Sequence, residues 1–310
     1  MTTALLAGIG VALDAALGEP RRWHPLVGFG AAATWLERWL LASPGLARRP
    51  VAARLAGVGA LAALVVPPAA LVAAAGVTGV GPLVDVAALY FALGARSLGE
   101  HAAAVAEPLA AGDLAAARER VALIVSRDTA GMDAGDMSRA TVESVLENGS
   151  DAVFATLFWF AIAGGAGATA HRLVNTLDAM WGYRTERFRF FGWAAARLDD
   201  ALNWLPARLT ALTYAMLGRT RDALACWRGQ GARWYSPNAG PVMAAGAGAL
   251  GVALGGPARY HGLLKPRPTL GLGRSPEASD IGRAVRLVRL GVIVWLGALA
   301  AIDLARWWLD

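Results

Sequence analysis

Residues 55–84 read LAGVGALAALVVPPAALVAAAGVTGVGPLV, and this stretch contains no charged side chain. A helix needs about 20 consecutive apolar residues to cross the hydrocarbon core of a bilayer. The stretch can therefore hold one membrane span, or two spans if the chain turns at Pro67-Pro68 or between residues 76 and 82. It indicates a helical membrane protein.

Three further apolar stretches are candidates for membrane burial. Residues 152–170 are uncharged, residues 234–258 are uncharged and rich in glycine and alanine, and residues 287–308 are interrupted by charges near their ends. Residues 1–13 are also apolar but lack a positively charged start and a small-residue cleavage site, so we expect a retained helix there. No convincing run of alternating residues predicts a strand.

The composition agrees with a membrane protein. The chain has 310 residues, of which 56% are hydrophobic and 17% charged, and its mean hydropathy is +0.44. Soluble domains carry about 25% charged residues. The uncharged runs exclude a soluble globular protein unless they all pack in one unusually large core. We predict an all-α, polytopic integral membrane bundle, with amphipathic helices between the spans and one domain covering residues 1–310.

The charged residues and the single cysteine exclude several kinds of site. The net charge is +6, but the arginines are scattered between apolar runs, and the basic stripe typical of a nucleic-acid partner is missing. Cys226 stands alone, which excludes an intrachain disulfide and a cysteine-based metal site. The sequence has no P-loop. Any bound phosphates would therefore need arginines, backbone amides and a metal ion.

One polar cluster combines a basic segment with a row of acids. The segment Ser126-Arg127-Asp128-Thr129 precedes Arg139, Glu143 and Glu147, which share one face of a helix because they are four residues apart. Magnesium binds through one or two carboxylates plus substrate phosphates, so the two glutamates are candidate ligands. The alternative is an Arg–Glu ladder on a solvated helix face.

A second group of polar residues lies in the following region. Asn175 and Asp178 are three residues apart, and Arg197 precedes the adjacent acids Asp199 and Asp200. Such acids are costly in an apolar protein unless they are paired or bound to a metal. The alternative is a network of salt bridges between helices.

A third group follows the second along the chain. Arg208 lies beyond the acids, and Ser236 and Asn238 lie in a turn that contains two prolines and a glycine. Such a turn is rigid and can present polar groups. The alternative is a plain connection between helices.

These segments together carry a resemblance to a known family. The blocks, in chain order, are Leu13-Asp14 with Gly18-Glu19-Pro20 and His24-Pro25, Ser126-Arg127-Asp128-Thr129 with Glu143-Ser144, Glu147-Asn148 and Asp151, Asn175-Thr176-Leu177-Asp178 with Gly182-Tyr183, Arg197-Leu198-Asp199-Asp200 with Asn203 and Arg208, and Ser236-Pro237-Asn238-Ala239-Gly240 with Gly255-Gly256-Pro257. Each block is modest, but the ordered set spans nearly the whole chain. The sequence resembles the adenosylcobinamide-phosphate synthase family of cobalamin biosynthesis.

The resemblance implies an ATP-dependent acid–amine ligase in a multi-pass bacterial inner membrane. Its substrates would be the corrinoid adenosylcobyric acid and aminopropanol or aminopropanol O-phosphate, with ATP as co-substrate and Mg²⁺ as cofactor. The lipid bilayer and the later enzymes of nucleotide-loop assembly are the expected partners, and no nucleic acid is expected. The alternatives are a metal-dependent prenyl- or phosphotransferase and a non-enzymatic corrinoid transporter or scaffold.

Roles for individual residues follow from this expectation. The candidates are, as catalytic groups, Asp128, Asn175 and Asp178; as substrate or phosphate ligands, Arg127, Arg139, Arg197, Arg208, Ser236 and Asn238; and as magnesium ligands, Glu143, Glu147, Asp199 and Asp200. An acyl phosphate on the corrinoid carboxylate is the expected intermediate, since ATP must drive amide formation in water.

Overall fold

The structure is a computed structural model that describes residues 1–20, 22–43, 45–260 and 262–309. Its helices are α1 (Thr3–Leu17), α2 (Pro25–Leu41), α3 (Pro50–Gly76), α4 (Gly81–Ala92), α5 (Ala95–Ala110), α6 (Leu114–Val121), α7 (Ala134–Asn148), α8 (Ala155–Trp181), α9 (Trp193–Leu217), α10 (Thr220–Gln230), α11 (Ala239–Leu250) and α12 (Ala278–Leu309). A π-helical segment, Gly149–Phe154, joins α7 to α8, and short 3₁₀ turns occur at Leu46–Arg48 and Gly231–Arg233.

Four short strands lie between α11 and α12, where no strand was predicted. They are β1 (Ala253–Gly255), β2 (Ala258–Tyr260), β3 (Leu263–Lys265) and β4 (Thr269–Gly271). β1 pairs antiparallel with β4, and β2 pairs antiparallel with β3. Strands of three residues are too short to produce a recognisable alternation in the sequence, which is why the pattern missed them.

The chain folds into two compact units. Unit 1 contains Met1–Gly94, Ala155–Asn203 and the end of the chain from Leu299, and unit 2 contains Ala95–Phe154 and Trp204–Ala298. Each unit gathers separate stretches of the sequence, so neither is a continuous segment that composition could delimit. The helices α9 and α12 each have residues in both units.

Three helical stretches in the described part of the chain are long and apolar enough to cross a membrane. They are α3, the continuous stretch Ala134–Trp181 and α12. The predicted class, a helical membrane bundle, is therefore confirmed. The helix α3 runs through Pro67 and Pro68, and the chain turns after Gly76, so the second of the two predicted turn positions is right.

The prediction that residues 234–258 are buried in the membrane is wrong. The helix in this stretch, α11, has only 12 residues, about 18 Å at 1.5 Å per residue, which is too short to cross the hydrocarbon core. Every residue of α11 is buried within the protein. Glycine and alanine on all its faces allow close packing, so the apolar pattern reflects a helix surrounded by protein.

Unit 1 packs α2, α3 and α8 around a common core. Ala33 from α2, Val65 from α3 and Leu177 from α8 are buried together with Trp181 and Phe191. Two residues of α8 have non-helical backbone angles, namely Ala163 and Gly164. The helix resumes where Asp85 of α4 accepts a hydrogen bond from the Gly165 N–H at 2.8 Å.

Candidate functional site

The centre of unit 2 is a buried carboxylate that holds two arginines. Glu143 on α7 has only 2% of its side chain exposed. It accepts hydrogen bonds from the Arg127 guanidinium, from Arg267 Nη1 at 3.1 Å and from the Gly255 backbone N–H at 2.8 Å. The Arg127–Glu143 pair, both members of the predicted site, is therefore brought together by the fold.

The strands after α11 bring Arg267 to this centre. Gly255 ends β1 with a φ of 73°, a left-handed conformation that favours glycine. Arg267 Nε donates to the Gly256 carbonyl at 2.9 Å, and its guanidinium lies over the Trp234 ring at 5.1 Å. The Arg267 side chain is therefore fixed from three sides, by Glu143, a backbone carbonyl and an aromatic face.

Two cavities flank the Glu143 cluster, and both are lined by Arg127 and Arg267. The smaller, which we call the glutamate cavity, has a volume of about 120 Å³. Its polar lining residues include Ser126, Arg127, Glu143, Ser144, Glu147, Asn148, Tyr235, Tyr260 and Arg267. The larger, which we call the arginine cavity, has a volume of about 190 Å³. Its charged lining residues are Arg127, Asp128, Asp136, Arg139, Arg259 and Arg267.

The arginine cavity has an excess of positive charge. Two acids face four arginines among its described lining residues, so the cavity suits an anion with several oxygens, such as a phosphate. Arg139 pairs with Asp136 at 2.9 Å, so the alternative of a ladder between Arg139 and Glu143 is wrong. Asp128 accepts a hydrogen bond from the Gly262 N–H at 2.7 Å.

The protonation states in unit 2 follow from this packing. Burial lowers the pKa of Arg127, whereas the Glu143 carboxylate and Tyr260 raise it. The two raising effects together exceed the effect of burial, so the pKa of Arg127 lies above the ordinary arginine value. Burial, with the negative charge of Glu147, raises the pKa of Tyr235 to about 12. Tyr235 therefore keeps its proton and can donate a hydrogen bond into the glutamate cavity.

Unit 1 contains the second predicted group of acids. Asp199 Oδ1 accepts from Asn175 Nδ2 at 3.1 Å, and His171 Nε2 lies 3.0 Å from Asn203 Oδ1. Burial raises the pKa of Asp199 to about 6, although hydrogen bonds from Asn175 and Asn203 oppose this.

Two more of the predicted acids lie near Asp199. Asp178 of α8 is close enough to Asp199 and Asp200 to interact electrostatically with both carboxylates. Arg197 Nη1 lies 3.7 Å from Asp200 Oδ2. These residues of α8 and α9 all belong to unit 1, so the fold brings Asn175, Asp178 and the two adjacent acids together.

The turn before α11 uses its polar groups internally. Arg208 donates to Asn238 Oδ1 at 2.9 Å and to the Pro237 carbonyl at 3.0 Å, and it lies over the Trp204 ring at 4.5 Å. Ser236 Oγ accepts from the Ala239 N–H at 3.1 Å. These predicted ligands therefore shape the turn, and their substrate contacts stay a prediction.

The four predicted magnesium ligands divide between the units. Glu143 and Glu147 belong to unit 2, and Asp199 and Asp200 belong to unit 1. Among the described residues, no three His, Cys, Asp or Glu side chains converge as a metal site. Two carboxylates suffice for magnesium when phosphates and water complete the shell, so the Asp199–Asp200 pair is compatible with the ion, whereas Glu143 already accepts from two arginines.

The pattern of the sequence did not single out Arg259, Arg267 or Tyr235 as site residues. Arg267 lies between two prolines, Pro266 and Pro268, which restrict the backbone around its charged side chain. These prolines are the feature of the sequence that could have identified Arg267 as a candidate site residue. Proximity to Glu143 across the chain, by contrast, arises only when the strands pair.

The comparisons with known proteins point to one family. The family model described as CobD/Cbib protein matches residues 7–288. A protein from Chromobacterium violaceum named "Cobalamin biosynthesis protein CobD" is 58% identical over 308 residues, which cover 98% of this chain and 97% of that protein.

Other relatives carry the same name. The protein of that name from Stutzerimonas stutzeri is 58% identical over 285 residues, 92% of each chain. The one from Mycobacterium tuberculosis is 41% identical over 297 residues, covering 93% of this chain and 92% of that protein. No solved structure matches the chain.

Proposed function

The chain belongs to the CobD/Cbib family, and we propose that it is an ATP-dependent acid–amine ligase of cobalamin biosynthesis. The enzyme joins a carboxylate of adenosylcobyric acid to the amine of aminopropanol or aminopropanol O-phosphate. The observation that carries this proposal is the pair of cavities around Glu143, one rich in arginine and the other containing Glu147.

The arginine cavity supports a reaction that handles phosphate. Transfer of a phosphoryl group depends mainly on positioning and on neutralising charge. Arg127 and Arg267 are already held by Glu143, so they can bind a phosphate without first losing the freedom of their side chains. Arg139 and Arg259 line the same cavity and add positive charge.

The reaction needs ATP because amide formation from a carboxylate and an amine is uphill in water. The corrinoid carboxylate attacks the γ-phosphorus of ATP, and the bond to the β,γ-bridging oxygen breaks, which releases ADP. The amine nitrogen then attacks the acyl carbon, the carbon–oxygen bond to phosphate breaks, and inorganic phosphate leaves. The bound ammonium loses one proton to a base before the attack, which frees the nitrogen lone pair, and the nitrogen loses a second proton as it becomes the amide.

The glutamate cavity supports binding of the amine. It is small, and Glu147 lies in it beside two tyrosines, Tyr235 and Tyr260. A carboxylate and aromatic rings are the groups that recognise an ammonium ion. Asp128 in the neighbouring cavity is the proposed acceptor of its proton, and Asp178 with Asn175 in unit 1 stays a separate candidate for a catalytic group.

Magnesium is the metal that this activity implies, and it would screen the charge of the ATP phosphates. The proposed ligands are either Asp199 with Asp200 in unit 1 or, in place of the ammonium ion, Glu147 in unit 2. Glu143 was expected with them, but its oxygens already accept from two arginines. We expect the main role of Glu143 to be the positioning of Arg127 and Arg267. Arg197 and Arg208 are proposed to assist phosphate binding.

The proposed location is the bacterial inner membrane, with several spans. The three long apolar stretches support insertion into a bilayer. A membrane site would also allow contact with the later enzymes of nucleotide-loop assembly. Co-purification of those enzymes with the chain from detergent-solubilised membranes tests this association.

The direct test is a ligation assay with purified protein in detergent. Adenosylcobyric acid, magnesium ATP and either aminopropanol or its phosphate are supplied, and the corrinoid is analysed by mass spectrometry. The expected product is heavier by the amine minus one water and forms only with ATP. Absence of product with both amines, from protein that melts cooperatively, would contradict ligation and favour a corrinoid transporter or scaffold.

A further inference from the structure

Unit 1 contains a large apolar cavity that the proposed ligation does not use. Its volume is about 590 Å³. It is lined by Pro25, Leu26, Gly28, Phe29 and Ala32 of α2, by Pro68 and Val72 of α3, by Val84, Ala87, Ala88, Phe91 and Ala92 of α4, and by Thr169, Arg172 and Leu173 of α8. We call it the α2–α8 cavity.

The polar groups of the α2–α8 cavity lie on one side. Among its described lining residues, Thr169 and Arg172 carry the polar side chains, and both belong to the same turn of α8. His24 contacts the lining residue Phe91 edge-on, with ring centroids 5.8 Å apart. Burial lowers the pKa of His24, Glu19 raises it and Arg172 lowers it, with a net decrease.

The surroundings of this cavity are membrane. α3 and α8 belong to stretches that are long and apolar enough to span a bilayer, so hydrocarbon chains are the medium next to them. Apolar cavities do not hold ordered water, because water needs polar partners there. Small residues such as Gly28, Ala32 and Ala87 leave the space open.

We propose that the α2–α8 cavity binds one acyl chain of a membrane phospholipid, with the lipid phosphate at Arg172. The apolar walls match the chain, and the single cationic side chain among the described lining residues matches the anionic headgroup. A phospholipid is the amphiphile that combines both features and surrounds every spanning helix. The lipid therefore stabilises unit 1 and does not take part in the reaction.

The first test is native mass spectrometry of the purified protein with phosphatidylglycerol in detergent. The expected spectrum has one retained lipid per chain. Gly28→Leu is designed to fill the cavity, since a Cβ at Gly28 meets nothing within 4 Å. Gly59→Leu on α3 is the matched control, because Gly59 is equally open and does not line the cavity. We expect at least a tenfold loss of lipid in Gly28→Leu and none in Gly59→Leu.

Further variants and outcomes separate this proposal from others. Ala32→Phe fills the same cavity by a different residue, so agreement with Gly28→Leu excludes a local folding defect. Arg172→Gln is expected to weaken retention of phosphatidylglycerol severalfold. Unchanged lipid retention in both filling variants would overturn the proposal. The proposal would also be overturned if the filling variants keep the lipid but lose a dimer or a bound corrinoid, because the cavity would then hold a second chain or a corrinoid.

Discussion

Glu143 is the residue on which the arrangement of the arginine cavity depends. Its carboxylate is almost fully buried and faces two guanidinium groups. Removing one partner of a buried ion pair leaves an uncompensated charge and costs roughly 3 to 5 kcal/mol. The pair Arg127 and Arg267 would repel each other without it.

We predict that Glu143→Gln lowers both the melting temperature and the ligation rate. The amide can still accept hydrogen bonds, but it no longer neutralises the two arginines. Glu147→Gln, one turn further along α7, is expected to reduce ligation while leaving the melting temperature within a few degrees of the parent. Thermal unfolding followed by fluorescence in detergent, together with the ligation assay, distinguishes the two effects. An unchanged melting temperature in Glu143→Gln would refute the positioning role.

Arg267 is predicted to bind phosphate in addition to its pairing with Glu143. Arg267→Gln should raise the KM for ATP or for aminopropanol O-phosphate at least tenfold, because a hydrogen bond to a charged group contributes about 1.5 to 3 kcal/mol. Arg228→Gln on α10 is the matched control, since Arg228 is exposed and lines neither cavity. Equal KM values in the two variants would show that the cavity does not hold the phosphate.

The raised pKa of Asp199 makes a prediction about pH. Above about pH 6 the folded chain carries a buried carboxylate that the unfolded chain ionises freely in water, so ionisation destabilises the folded state. Asp199→Asn should therefore raise the melting temperature at pH 8, by less at pH 5 and by almost nothing near pH 4. A difference that does not change with pH would contradict burial as the cause.

At the scale of the element, the break in α8 is the feature with a structural cost. Gly164 has a φ of 59°, which is strained for any residue with a Cβ, and an added Cβ would lie 3.0 Å from Asp85 Oδ1. Asp85 accepts from the N–H that begins the second half of the helix. The break is therefore stabilised by one carboxylate from α4.

We predict that Gly164→Ala destabilises unit 1 by roughly 1 to 3 kcal/mol, the usual cost of a strained backbone conformation. Gly59→Ala in α3 is the control, because its Cβ would meet nothing within 4 Å and alanine favours a helix by about 1 kcal/mol. Melting temperatures in detergent are compared. If both variants are equally stable, α8 can straighten without cost, and the left-handed glycine is not needed.

At the scale of the whole molecule, the described chain combines spanning helices with a helix, α11, that protein surrounds entirely. This combination predicts behaviour typical of an integral membrane protein. The chain should stay in the membrane pellet after alkaline carbonate extraction and should dissolve only with detergent. Release by carbonate alone would contradict the spanning assignment of α3 and α12.

Burial statistics that usually identify a core would mislead in such a molecule. α3 carries exposed Val66 and Leu71, which in a soluble protein would form a patch prone to association. In this protein we expect those residues to face the hydrocarbon of the bilayer, which suits their apolar side chains. The protein is therefore apolar on the surface of its spanning helices and polar within unit 2, where Glu143 and its arginines lie.

The sequence by itself determined the class of fold, the family and most of the polar residues at the two clusters. Long uncharged runs can only be accommodated in a bilayer or a large core, and a set of motifs in a fixed order is specific because many residues must agree. The end of α3 at Gly76 is one of the two turn positions that the local pattern allowed.

Only the tertiary structure decided which of these residues act together. The pairing of Glu143 with Arg267 spans 124 positions along the chain, and nothing local in the sequence encodes such a contact. The tertiary structure alone also decided what surrounds α11, because an uncharged run has the same sequence pattern whether lipid or protein surrounds it. Pairing of short strands, and packing between helices distant in sequence, supply that information through burial and geometry.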